Sequence, residues 1–275
     1  MKKLINQHPT KPFRWLLGVF PFIILLLFYI GASNARLAEN PNDKLLPAFS
    51  SFSDAMQRMA FEPSKRSGEY VFWQDTISSL ERLSIGVGIS ALIALTIGVV
   101  NGVIPFVRAN LSPLVTAISL VPPMAILPVL FIVFGLGELS KIVLIAIGIT
   151  PFLIRDMQQR ALEIPAEQVI KAQTLGANTW QIIVRVVLPQ VMPRLIASVR
   201  LSLGSAWLFL IAAEAIASTD GLGYRIFLVR RYLSMDVILP YVLWITLLAF
   251  AIDYVLRLLS QRMYPWFHSQ TPEGA

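Results

Sequence analysis

Two carboxylates, Glu214 and Asp253, each interrupt an otherwise uncharged apolar stretch, Leu201–Thr219 and Val237–Leu256. An acid in such a setting is costly, so it either pairs with a base or serves a solute or ion path. Glu214 is therefore a candidate for steering a cation or holding a gate, and an ion pair with Arg82 or Arg225 is the plainer alternative. Asp253 stands four residues before Arg257, a spacing that predicts a pair on one helix face. Little other chemistry is on offer. The chain has no cysteine, and its two histidines, His8 and His268, lie near opposite ends. Thiolate nucleophiles, disulfides, a histidine metal cluster and a Ser-His-Asp arrangement have no residues to stand on. There is no glycine-rich Gly-Lys-Ser/Thr phosphate loop, so ATP hydrolysis is not expected of this chain. No catalytic pair occurs at a workable spacing.

The elements that must position these residues are membrane helices. Of 275 residues, 56% are hydrophobic and only 14% are charged, and the mean hydropathy is +0.67. A soluble domain carries about 25% charged residues. The net charge of +7 is spread between apolar spans, which fits orientation in a bilayer better than nucleic-acid binding. A spanning helix needs about 20 apolar residues. Stretches 15–35, 83–107, 109–137, 142–154, 201–219 and 237–256 predict six spans. The fourth is short, and Lys141 and Arg155 at its ends would snorkel to the interface. Lys2, Lys3, Lys11 and Arg14 precede the first span with no acid among them. The positive-inside rule then puts both termini in the cytoplasm. Ser33-Asn34-Ala35 would suit signal cleavage, but the apolar stretch before it exceeds the roughly 7–15 residues of a signal core.

The expected organisation is a cytoplasmic N-terminus and first helix (1–35), an external segment (36–71), a transmembrane domain (72–262) and a cytoplasmic tail (263–275). In the external segment, Phe52, Ala55, Met56, Met59 and Ala60 recur at helical spacing. They predict a helix capped by Ser50 or Ser51, lying on the outer membrane surface or packed on other spans. Pro122, Pro123 and Pro128 break the third span. Broken helices often line transport paths, so these prolines and Met124 are pathway candidates; a packed kink that touches no solute is the equal alternative. Segment 155–194 is too apolar for a solvated tail and too charged for a span. Pro165 suits a helix start and Gly176 a helix end, after which Asn178 or Thr179 caps a second helix. Together they read as a helix–turn–helix platform for a partner. Arg225, Arg230 and Arg231 fall outside, where they suit attraction of an anion or, the favoured reading, docking of an acidic surface.

At this platform the sequence resembles a known family. Ala172-Gln173-Thr174-Leu175-Gly176, followed by Val186-Val187-Leu188-Pro189, is similar to the coupling motif of ABC-importer permeases. The motif's glutamate falls here on Ile170 and its first alanine on Lys171. Pro122 to Pro128, Phe134 to Lys141, Ala212-Ala213-Glu214 and Asp220-Gly221-Leu222-Gly223 resemble the nitrate/sulfonate/taurine branch. Tyr224 to Tyr232 looks most like permeases that accompany urea-carboxylase and guanidine-carboxylase enzymes. The resemblance runs over about residues 45–265. It implies an all-α type I permease fold with about six spans in a bacterial inner membrane. It also implies a second permease copy, two cytoplasmic ATPase subunits and an external solute-binding protein. ATP-Mg would be used by the ATPase, with no cofactor on this chain. Coupling would run through Glu167, Lys171, Ala172, Gly176, Leu188 and Pro189. The solute would be nitrate, a sulfonate such as taurine, or a urea or guanidinium compound, and the arginines beyond Gly223 argue mildly against a cation. A stand-alone transporter driven by an ion gradient is the competing function, with Glu214 as its ion site.

Overall fold

The computed structural model describes residues 10–40, 43–64 and 68–269, without the side chain of Lys11. Lys2, Lys3 and His8 lie outside the described residues, as does the end of the expected tail. Among the described residues every regular element is a helix. Four helices are long and apolar enough to cross a membrane, and a bent helix pair raises this to five. The predicted fourth span falls in a 25-residue helix that carries Glu138, Lys141, Arg155, Asp156 and Arg160, and it lies outside that set.

Helix α1 (Lys11–Glu39) leaves nearly all of its apolar residues up to Phe28 exposed. Its far end is tied down: Tyr29 Oη donates to the Pro47 carbonyl at 2.7 Å and Ser33 Oγ to that of Leu46 at 2.9 Å. Helix α2 (Phe49–Met56) continues through a wider turn, Gln57–Phe61. Ala48 is its N-cap, and no side chain caps it, so Ser50 and Ser51 sit inside the helix rather than at its start. Its inner face, with Ala55 and Ala60 buried, packs on two later helices, Val71–Val103 and Met235–Met263, which makes it part of the bundle. Trp73 Nε1 seals the contact by donating to the Ala60 carbonyl at 3.1 Å.

The core is the pairing of α3 (Val71–Val103) with α6 (Glu138–Leu162), covered by α9 (Leu188–Ala217). Gly98 and Gly102 of α3 form a small-xxx-small stripe that lets the backbones close up. A Cβ at Gly98 would stand 2.6 Å from Met157 Cβ, and one at Gly102 would run into Ala161. Helix α3 begins twelve residues before the uncharged stretch at Leu83, because Asp75 and Arg82 find partners inside the protein. Helices α4 (Pro105–Ser119) and α5 (Pro123–Phe134) meet at a 94° bend with Pro122 at the break. The proline-broken third span is thus a real corner.

Segment 155–194 is mostly the ends of long helices. Helix α6 runs to Leu162, α7 covers Ala166–Thr174, and helix resumes at α8 (Thr179–Ile182). From Thr179 to Ala217 the path is one 39-residue helix. It widens by one residue at Ile183–Val187, where Leu188 N–H reaches back to the Ile183 carbonyl. Pro189 has no N–H to bond the carbonyl four residues back, and a wider turn accommodates that loss. Three elements close the chain: the short α10 (Leu222–Arg230), the last spanning helix α11 (Met235–Met263) and the short α12 (Pro265–His268).

Candidate functional site

At one end of the bundle Arg82 is the centre of a polar clasp. Its side chain is 3% exposed and meets three carboxylates: Glu214 at 2.7 Å, Asp220 at 2.5 Å, and Glu138. Lys141 joins by pairing with Glu138 at 2.8 Å and donating to Ser218 Oγ at 3.0 Å. Lys141 is therefore buried and does not snorkel. The first turn of α10 supplies further donors. Gly221 N–H reaches Asp75 Oδ1, Leu222 N–H reaches Ser79 Oγ, and Gly223 N–H reaches Glu214 Oε2, each at 2.9 Å. These are amides that a helix start leaves unpaired, and its positive end favours the carboxylates. Gly221 holds φ at +111°, and a Cβ there would stand 2.5 Å from Glu214 Oε1.

Glu214 thus takes the ion-pair alternative, with Arg82 as partner. Arg225 takes a different acid, Asp75, at 2.8 Å. Burial lowers the Arg225 pKa, but the hydrogen bond and charge of Asp75 outweigh it and hold it above its ordinary value. Burial raises the Asp220 carboxyl, but hydrogen bonds from Arg82 and Ser78 and the nearby charges of Arg82 and Lys141 bring it below its ordinary value. Asp75 was not anticipated; its place four residues before Ser79, on the face that carries Arg82, was the available signal. Of the docking arginines, Arg230 and Arg231 are exposed, Arg230 over the Phe227 ring at 5.0 Å, while Arg225 is turned inward. Asp253 does not pair with Arg257. It pairs with Arg200 of α9 at 2.8 Å, because α9 brings a base across the bundle in a two-pronged arrangement.

A cavity of about 730 Å³ opens in the crook of the α4–α5 corner against α6 and α9. Ser112, Thr116, Ser119, Gln158 and Gln159 give it a hydrogen-bonding lining, and Pro123 and Phe209 give it apolar walls. Two charges face it. Asp156 is already committed, to Ser198 and to Arg160 at 3.5 Å. Arg155 donates to Ser119 Oγ at 3.1 Å and has no ion-pair partner among the described residues. Of the pathway candidates, Pro123 lines this cavity, Pro122 makes its corner, and Met124 and Pro128 are exposed on α5. Glu214 is held in the clasp and does not line it.

At the coupling segment, Pro165 is the N-cap of α7 and Gly176 ends it at φ +82°. Asn178, rather than Thr179, caps the next helix. It accepts from Gln181 N–H at 2.8 Å while its own N–H donates to Gln181 Oε1 at 2.9 Å. Glu167 and Lys171 are exposed, Ala172 and Leu188 are half-buried, and Pro189 is exposed. Three large apolar side chains share the outer surface: Ile170, Leu175 (88% exposed) and Trp180. Ile170 and Leu175 stand within the motif stretch, but the sequence carries no sign of their exposure, and Trp180 lies outside it. Their exposure on a charged segment is set by how α7 packs.

Residues 86–265 match the family described as the binding-protein-dependent transport system inner membrane component. The chain belongs to that family. Among its relatives is the taurine transport system permease protein TauC of Escherichia coli, 34% identical over 194 residues, or 70% of each chain. The bicarbonate transport system permease protein CmpB of Synechococcus elongatus is 31% identical over 158 residues, covering 57% of this chain and 56% of that one. The fold is similar to a solved inward-facing structure of the MetNI methionine ABC transporter. That match has a TM-score of 0.62 at 20% identity and covers 70% of this chain and 96% of that one. This is a multi-pass membrane permease of the nitrate/sulfonate/taurine type. The family match begins inside α3, so α1 and α2 lie ahead of it. Among the described residues no group of acids and histidines is arranged to hold a metal.

Proposed function

We propose that this permease pairs with a second copy of itself and encloses a path for a small polar anion. A separate cytoplasmic ATPase drives it and an external solute-binding protein supplies it. The observation that carries the reading is the exposed surface of α7 and α8. Ile170, Leu175 and Trp180 offer an apolar contact to a partner, and the Gly176 turn joins it to the continuous helix Thr179–Ala217. A partner that moves α7 moves a lever reaching from the coupling segment to the clasp. ATP-Mg acts on the ATPase, and its binding shifts the permease only through differential contacts with that surface. Both termini are cytoplasmic in this arrangement, and Arg230 and Arg231 face the binding protein.

Relatives named for taurine and bicarbonate support a solute with an anionic oxygen group. The unpaired Arg155 in the cavity supports the same choice over guanidinium. The secondary-transporter alternative loses its ion site, since Glu214 is committed to Arg82, Ser79 and Gly223.

The test is uptake by the reconstituted permease, ATPase and binding protein, with taurine and bicarbonate as probes. ATP-dependent uptake that Gly176→Trp abolishes, while insertion stays normal, is the expected result. Uptake that survives ATP depletion and stops with an uncoupler would overturn it.

A further inference from the structure

A second cavity, of about 440 Å³, lies where the coupling segment joins the bundle. Its walls include Arg160, Glu163, Pro165, Gln190 and Arg194, with Trp266 and Phe267 of α12. Three features converge on one ligand chemistry. The first is charge. Arg160 is matched by Asp156 and Glu163. Arg194 has no carboxylate partner among the described residues; its guanidinium stands over the Phe267 ring at 4.7 Å. The cavity therefore holds an uncommitted cation against an aromatic floor.

The second feature is depth. Tyr264, Trp266 and Phe267 follow the end of spanning helix α11 and stack edge to face in series. Tyrosine and tryptophan at a span's end mark the headgroup level of a bilayer. The short helix that carries them is pinned back by a 3.0 Å hydrogen bond between Ser260 Oγ and His268 Nε2. The third feature is an apolar track. The last turns of α11, leading directly into α12, expose Val255, Leu259 and Met263. A ligand with a negative head and hydrocarbon chains meets all three.

We propose that this cavity binds the headgroup of an anionic phospholipid, with Arg194 on its phosphate and its acyl chains along α11. Basic pockets between spanning helices are a recognised form of lipid recognition. The site also adjoins the drive mechanism. Gln190, in the cavity wall, donates to Gln168 Oε1 of α7 at 2.9 Å. A bound headgroup braces that joint, so anionic lipid raises the share of ATP turnover that moves solute. The binding claim needs only a membrane-spanning chain; the effect on turnover rests on the importer reading.

The experiment is native mass spectrometry of the full permease, purified in mild detergent and titrated with phosphatidylglycerol or phosphatidylcholine. The expected result is one preferentially retained phosphatidylglycerol per chain. Arg194→Gln reduces the preference roughly five-fold, the worth of one basic residue at a charged surface, and Arg194→Lys keeps most of it. Arg257→Gln, which alters a cation outside the cavity, leaves it unchanged. Equal retention of both lipids by the wild type overturns the proposal without any variant. An equal loss in Arg257→Gln overturns it in favour of diffuse charge. Displacement of the lipid by millimolar inorganic phosphate overturns it in favour of a free anion. Failure of ATP-driven uptake would sink the importer reading and leave the lipid result standing.

Discussion

Arg82 and Glu214 lie 132 positions apart in the chain and meet at 2.7 Å in the protein interior. With Asp220 and Glu138 on the same guanidinium, and Asp75 and Ser79 on the first amides of α10, they tie α3, α6, α9 and α10 into one body. Breaking a buried pair from one side strands a charge and costs about 3–5 kcal/mol. Arg82→Gln and Glu214→Gln should each lower the detergent melting temperature sharply. The double variant should lose less than the two losses added together. Simple additivity would mean that the pair is not coupled.

Gly221 should tolerate no side chain. Its φ of +111° is one that L residues rarely adopt, and a Cβ would press on both Glu214 and Arg82. Strain of this kind costs on the order of 1–3 kcal/mol, before the clasp is disturbed. Gly221→Ala should reduce folded permease in membranes, whereas Gly204→Ala, at a position with open space around it, should not. Equal yields for the two would contradict the packing described.

Asp220 predicts an acid limb in stability. Its carboxyl sits below its ordinary value once the Arg82 contact outweighs burial. A depressed folded pKa stabilises above the unfolded value, about 3.9 for aspartate. That stabilisation drains away as pH falls through the folded value. Melting curves taken downward from pH 6 should show the loss beginning near pH 4 in the wild type. Asp220→Asn should be less stable at pH 7 and should lose less on acidification. A variant that tracks the wild type at every pH would remove Asp220 from the clasp's energetics.

The exposed surface of α7 and α8 should matter to coupling rather than to folding. Leu175→Asp and Trp180→Ala leave the core untouched, since both side chains point away from it. Membrane insertion and melting should stay within about 0.5 kcal/mol of wild type, while co-purification of the ATPase and ATP-driven uptake should fall at least tenfold. Normal uptake in Leu175→Asp would move the coupling surface elsewhere.

Much of the fold was legible because bilayer physics leaves few choices. Composition demanded spanning helices. The Pro122-Pro123 pair demanded a break, and it became the 94° corner. Asn178 or Thr179 promised a helix start, which Asn178 provides with Gln181, and Gly176 promised a helix end. Local rules reached less far where a partner comes from elsewhere in the chain. Lys141 stood at the edge of an apolar stretch, yet it is buried against Glu138 and Ser218. Asp253 had Arg257 one turn away and took Arg200 from α9 instead. A neighbour at helical spacing offers a solvated pair worth a few tenths of a kcal/mol. A two-pronged arginine from a facing helix offers a stronger one.

By itself the sequence determined the helical class, the broken span, the turn chemistry of the coupling segment and the motif that marks the family. These depend on hydrophobic period and on residues with restricted backbones, which act over a few positions. The tertiary structure decided which acid meets which base, which apolar residues of α7 stay exposed and where the cavities open. Those outcomes depend on helix packing across distances of 50 to 150 residues, set here by close approach at Gly98, Gly102 and Gly221.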